Sequence, residues 1–147
     1  SRALSEACRQ SGAEQRSHAL CFIDLDRFKP VNDTAGHAAG DALLQIVARE
    51  IRRCCRTQDF AARIGGDEFV VLLTDCTIPD ARIVAQKIVD SVGAIQFEWG
   101  GKSYSVGASV GLAPVLPDAE RDVLAMADAA CYAAKAAGRG RVVAAGD

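Results

Sequence analysis

The sequence predicts an α+β fold: a central, mostly antiparallel sheet with helices packed on it. Three observations lead there. A continuous apolar run from Ala19 to Ile23 reads as a central strand covered on both faces. Two further apolar runs, Phe60 to Ala62 and Phe69 to Leu73, close around Gly65-Gly66 as strand, tight turn, strand. Other stretches repeat their apolar residues every three to four positions, as one buried helix face requires. The order along the chain is β-α-α-β-β-α-β-β-α-β. An antiparallel sheet with helices laid on it satisfies that order most simply.

Each element has a local reason. Residues 1 to 17 carry Leu4, Ala7 and Cys8 among polar neighbours, which predicts a helix ending near Gly12. The first strand runs into Asp24-Leu25-Asp26-Arg27-Phe28-Lys29. Pro30 suits the first turn of a short helix, and Gly36 stops it. From about Ala38 a second helix buries Leu43, Leu44, Val47, Ile51 and Cys55 and turns Arg49, Glu50, Arg52 and Arg53 outward. The hairpin follows. Its two glycines are expected to take the positive φ of a tight turn and to leave the backbone open to another molecule. Pro79-Asp80 starts a helix with Ile83, Val84, Lys87, Ile88 and Val92 in rhythm, ended by Gly93. Phe97 to Val115 reads as two or three strands with a turn at Gly100-Gly101. Gly107 and Gly111 there mark close packing or a bulge. Asp118 or Asp122 is expected to cap an alanine-rich last helix, closed by Gly138. Arg141-Val142-Val143 is a candidate final strand.

The bulk numbers narrow the function. A chain of 147 residues, half of them hydrophobic, predicts one domain with a real core. Seventeen basic and nineteen acidic residues give a net charge of −2. Duplex nucleic acid wants a strongly basic face, so no nucleic-acid partner is expected. The apolar runs are too short to cross a bilayer, and Ser1-Arg2-Ala3-Leu4-Ser5-Glu6 does not resemble a signal peptide. The cysteines at 8, 21, 54, 55, 76 and 131 form no Cys-x-x-Cys pair. They read as reduced, small core residues of a cytoplasmic domain.

The chemistry gathers at the hairpin. Asp67 and Glu68 follow the glycines directly. Adjacent carboxylates repel and make poor turn filler unless a cation or hydrogen-bond donors sit beside them. Asp24 ends the first strand. If that strand is central and the hairpin is its neighbour, Asp24 and Asp67 meet at one edge of the sheet. Such carboxylates suit Mg²⁺, which takes oxygen ligands at about 2.0–2.1 Å. Two such ions about 3.5–4 Å apart stabilise the attacking and leaving oxygens of phosphoryl chemistry. The plainer reading of Asp24 is a strand-end cap or surface charge. For Asp26 it is structural support.

Two motifs then carry a resemblance. One is Arg63-Ile64-Gly65-Gly66-Asp67-Glu68-Phe69. The other is Asp24-x-Asp26-x-Phe28-Lys29-x-x-Asn32-Asp33-x-x-Gly36-His37-x-x-Gly40-Asp41. Together they closely resemble the GGDEF family, over about residues 19 to 143. The resemblance implies a ferredoxin-like palm, similar to nucleotidyl cyclases. It implies diguanylate cyclase chemistry: two GTP joined into cyclic di-GMP with release of two pyrophosphates, across a homodimer of domains. It also implies two Mg²⁺ or Mn²⁺ ions per active site. By position, Asp24, Asp67 and the Leu25 carbonyl bind metal. Glu68 is a further ligand or the base for the 3′-hydroxyl. Backbone amides near Arg27 and Phe28, with Lys29, hold phosphates, and Gly65 and Gly66 leave room for the substrate. Asn32 and Asp41 read the guanine edge, whose N1–H and exocyclic amine a carboxylate can accept as a pair. Read from the residues alone, Asn32 and Asp41 could equally cap two helices.

A third motif, Ala127-Asp128-x-x-x-Tyr132-x-Ala134-Lys135-x-x-Gly138-Arg139, implies triphosphate binding by Lys135 and Arg139. Complementing the helix dipole is the blander reading. Arg56-Thr57-Gln58-Asp59 ends four residues before Arg63, the register of the family's inhibitory product site. The alternative there is a solvated turn at a helix end. The family's usual opening segment, Asp-x-Leu-Thr-Gly-Leu-x-Asn-Arg, is not found in these residues. The expectation is a single domain excised from a larger signalling protein, with a sensor or EAL phosphodiesterase domain fused elsewhere. The competing function is a silent module that binds GTP or cyclic di-GMP and regulates its fused partner. Against it, the acidic turn that degenerate members lose is intact here.

Overall fold

The computed structural model describes residues 2–14, 16–117 and 119–147. In chain order the elements are α1 (Arg2–Ala13), β1 (Ala19–Asp26), α2 (Phe28–Ala35), α3 (His37–Arg53), β2 (Phe60–Gly65), β3 (Glu68–Leu73), α4 (Ile78–Gly93), β4 (Phe97–Trp99), β5 (Lys102–Tyr104), β6 (Gly107–Pro114), α5 (Glu120–Ala136) and β7 (Val142–Ala144). Five strands form one sheet in the order β2-β3-β1-β6-β7, and β4 and β5 pair separately. Neighbours in the large sheet are antiparallel except β6 and β7, which run parallel. The palm-like α+β arrangement with a mostly antiparallel centre is therefore the observed one.

β1 lies in the middle because both its faces are apolar. Ala19, Cys21, Ile23 and Leu25 point into a core with α2, α3 and α4, where Phe28, Leu43, Val47, Ala85 and Ile88 are buried. Leu20 and Phe22 point the other way, onto Leu4 and Cys8 of α1 and Val123, Ala127 and Cys131 of α5. The odd positions of β1 thus face three helices and the even positions face two. Asp24 and Asp26 continue the even series, on the side of α5.

α5 approaches β6 unusually closely. A Cβ on Gly111 would overlap the Ala127 carbonyl and the Cys131 amide, so the absence of a side chain there sets the height of α5 over the sheet. Gly100 and Gly101 take φ of 58° and 81°, the pair a two-residue turn between β4 and β5 demands. The hairpin glycines behave differently from expectation. Neither Gly65 nor Gly66 has a positive φ. The turn gets its bend from a register shift between Arg63 and Gly65 instead. What Gly65 supplies is room, since a Cβ there would stand 3.0 Å from Glu68 Oε1. The last helix also differs in its start. Asp122 lies inside the first turn of α5, where its charge suits the helix dipole, and is not the cap. Asp118, the other expected cap, lies outside the described residues. Among the described residues no disulfide joins the cysteines, and no helix is long and apolar enough to cross a membrane.

Candidate active site

The antiparallel register of β1 and β3 sets Asp24 directly opposite Glu68. The same register, carried one residue on, lets the Leu25 amide donate to the Asp67 carbonyl at 3.0 Å, tying the hairpin turn to β1. The four residues Asp24, Leu25, Asp67 and Glu68 therefore meet at one edge of the sheet. Arg63 braces the turn from outside: its Nε donates to the carbonyls of Gly65 and Gly66 at 3.1 and 3.0 Å. Burial pushes the Asp24 carboxyl up to about 6; the Lys135 ammonium opposes that, and Asp67, Glu68 and Asp26 add to it. Among the described residues no three His, Cys, Asp or Glu side chains converge tightly enough to hold a metal ion. The oxygens that stand at this edge are the Asp24, Asp67 and Glu68 carboxylates and the Leu25 carbonyl. They are hard oxygens with surplus negative charge, a set that fits Mg²⁺ or Mn²⁺.

Lys135 sits against the same edge. Its Nζ donates to the Leu25 carbonyl at 2.8 Å and to Asp26 Oδ1 at 2.7 Å, and stands 3.7 Å from Asp24 Oδ1. It thus reaches inward to β1, where dipole complementarity alone would leave it at the helix end. Asp26 is only 4% exposed. Its Oδ1 also accepts from Ser109 Oγ at 2.8 Å, and its Oδ2 accepts from the Gly140 amide at 3.0 Å. Arg139 is exposed, in the left-handed region at φ 66°. It lines a cleft of about 170 Å³ together with Arg27 and Gly140.

α2 starts at Phe28 with Arg27 in the left-handed region and no side chain capping its first amides. Those amides carry no side-chain cap and lie beside the exposed Lys29, as an anion at a helix start would need. Asn32 and Asp41 both lie inside helices, α2 and α3, so neither is a cap. A Cβ on Gly40 would overlap Asn32 Oδ1, so the Asn32 side chain lies against the residue preceding Asp41. Asp41 stands exposed at a cleft of about 450 Å³ between α3 and β2, lined also by Leu44, Ala48, Ala61, Arg63 and Phe69.

Arg56 and Asp59 sit elsewhere. The buried Asp59 carboxylate accepts from the Arg56 amide at 2.8 Å, from the Arg56 guanidinium, and from the Thr74 amide at 3.2 Å. It pins the loop before β2 to the end of β3. The Arg56 side chain remains 45% exposed, so only the arginine of the pair presents itself to solvent.

Sequence reasoning assigned no role to Ser109, Gly140 or Arg63. Ser109 had a signal, a hydroxyl within the apolar run Ala108 to Ala113. Gly140 had none, because its contribution is a backbone amide.

Comparison with known proteins agrees with this geometry. Residues 1–141 match the family described as "Diguanylate cyclase, GGDEF domain". That match includes α1, ahead of the motifs. The chain is 50% identical over 127 residues to "Probable diguanylate cyclase DgcE" of Escherichia coli, covering 85% of this chain and 12% of that protein. It is 40% identical over 134 residues to "Diguanylate cyclase A" of Treponema denticola, covering 90% of this chain and 36% of that protein. The chain thus spans about an eighth and about a third of these relatives' lengths. Among solved structures, the GGDEF domain of DgcB from Caulobacter crescentus in complex with c-di-GMP superposes with a TM-score of 0.94 at 31% identity, over 99% of this chain and 88% of that one. Sequence motifs, sheet topology and these matches agree, and the chain belongs to the GGDEF-domain family of diguanylate cyclases.

Proposed function

We propose that this domain condenses two GTP into cyclic di-GMP, with two copies facing each other turn to turn. The observation that carries the reading is the intact acidic turn held against β1, with Glu68 opposite Asp24 and the Asp67 carbonyl bonded to the Leu25 amide. Asp24, Asp67 and the Leu25 carbonyl would hold the divalent ion, with Glu68 as a further ligand or as the base. A second ion per site belongs to the same reading. The bound cation supplies positive charge against the triphosphate.

The chain's own groups do the remainder. The open amides at Arg27 and Phe28, with Lys29, hold phosphate oxygens, and Arg139 adds charge from the facing turn. Lys135, already at the edge, reaches the same phosphates from α5. Asn32 and Asp41 accept the guanine edge at the mouth of the α3–β2 cleft, which selects GTP over ATP. Glu68 takes the proton of the 3′-hydroxyl or shares in holding the cation. Gly65 and Gly66 let the substrate approach the backbone of the turn. Each 3′-hydroxyl attacks the α-phosphate of the other nucleotide, and pyrophosphate leaves twice. A two-fold pair of domains makes both attacks equivalent.

Arg56, with Asp59 holding it, is the proposed contact for inhibitory product. The c-di-GMP bound to the related DgcB domain is the same chemical species as that product. A cytoplasmic location and fused sensor or EAL domains complete the proposal. The direct test is Asp67→Ala. It is expected to abolish product formation from GTP while the melting temperature stays within a few degrees, because the carboxylate is at a turn and only its backbone carbonyl braces β1. Turnover at the parent's rate in that variant would refute the assignment.

A further inference from the structure

The cation that the carboxylate edge calls for is already present as an ammonium. Lys135 Nζ takes the Leu25 carbonyl at 2.8 Å and stands 3.7 Å from Asp24, two of the three donors assigned to the divalent ion. Its anchor, Asp26 Oδ1 at 2.7 Å, cannot follow a moving lysine. Asp26 is buried and is held separately by the Ser109 hydroxyl and the Gly140 amide. Lys135 itself ends a long, rotatable stem on the last turn of α5, and its side chain is 20% exposed. Its anchor Asp26 also lines the cleft that holds Arg27 and Arg139.

We propose that Lys135 is the resident cation of this edge in the nucleotide-free domain, and that a divalent ion and the Lys135 ammonium exclude one another at the Leu25 carbonyl. A hard ion at about 2.0–2.1 Å from the carbonyl oxygen that the ammonium already engages would stand next to a second full positive charge. The two positive charges would also repel at close range. Metal arrival therefore releases Lys135, and the released ammonium becomes available to the phosphates. While it is parked, it offsets part of the charge of four carboxylates that repel one another across β1 and the turn. The proposal rests on reading this edge as the metal site. It adds that the site is held shut by the chain's own lysine until metal and nucleotide come.

Mn²⁺ binding without nucleotide, read from the electron paramagnetic resonance of the unbound ion, tests it. Lys135→Met should bind Mn²⁺ about ten-fold tighter than the parent, as removal of a competing charge in direct contact requires. Arg139→Met, which removes an exposed cation four residues along, should stay within about two-fold of the parent. A second measurement uses the unaltered protein. Acetylation of Lys135, followed by mass spectrometry, should rise several-fold when Mn²⁺ is added, while acetylation of the distant Lys87 does not change. Equal Mn²⁺ affinity in the parent and Lys135→Met, including none in either, overturns the proposal. So does Lys135 acetylation that Mn²⁺ leaves unaltered. Neither result touches the cyclase reading, whose own test is product formation from GTP.

Discussion

At Asp24, burial and three neighbouring carboxylates work against ionisation, and one ammonium works for it. That surplus of carboxylates over ammonium suits a divalent cation, and it accompanies the register that sets Glu68 opposite Asp24. His18 shows the opposite situation, at the far end of β1. It is 2% exposed, its Nδ1 accepts from the Asp75 amide at 2.9 Å, and its Nε2 has no hydrogen-bond partner among the described residues. Burial holds its imidazole below the ordinary value; Asp75 and Glu14 oppose that and Arg16 adds to it. A histidine depressed in the folded state binds more protons when unfolded. Its contribution is therefore intact above the unfolded value, about 6.5, and is lost as pH falls toward the folded one. His18 should lower the melting temperature between pH 7 and pH 5 while the raised Asp24 carboxyl pulls the other way, and His18→Gln should remove the His18 part of that slope. An unchanged slope in the variant would show that other groups carry it.

At the scale of elements, the packing of α5 on β6 decides where Lys135 stands. Gly111→Ala puts a methyl group into the Ala127 carbonyl and the Cys131 amide, which are backbone and cannot rotate away. Overpacking of this kind costs on the order of 1–3 kcal/mol, and more where backbone must shift. Urea denaturation should show a loss at or above that range, whereas no loss would mean α5 slides freely on the sheet. The elements themselves were largely legible. The apolar run at 19 to 23, the hairpin and the Gly100-Gly101 turn are set by local pattern and turn chemistry. Pattern could not show that the β4–β5 hairpin leaves the main sheet, or that β7 joins β6 in parallel, because pairing partners are set by packing. The carboxylate edge was legible for a similar reason: a strand end and a hairpin turn have few places to go. The inward reach of Lys135 was not, since a long side chain's direction depends on the height of α5, and that rests on a single glycine. The hairpin glycines show the converse. Of the two grounds given for them, positive φ is absent, while the lack of side chains leaves room beside Glu68 at Gly65 and open space at Gly66.

Across the whole molecule, the described residues present one acidic turn beside the end of β1, one Asn32/Asp41 pair on α2 and α3, and one set of cations, Lys29, Lys135 and Arg139. The proposed product needs two nucleotides, each both attacker and attacked. On that proposal one domain would carry half of a site, and its partner would be a second copy bridged largely by substrate. Specific activity should rise with protein concentration, and a dimerising segment fused before α1 should remove that dependence. Activity independent of concentration in a demonstrated monomer would exclude the paired arrangement. The most direct measurement is chemical. The domain at high concentration is incubated with Mg²⁺ and GTP, and the nucleotides are separated and identified. The account predicts cyclic di-GMP and two pyrophosphates for each one formed, with ATP giving no cyclic product. Bound GTP recovered unchanged, by folded protein at a concentration that pairs the domains, would contradict it.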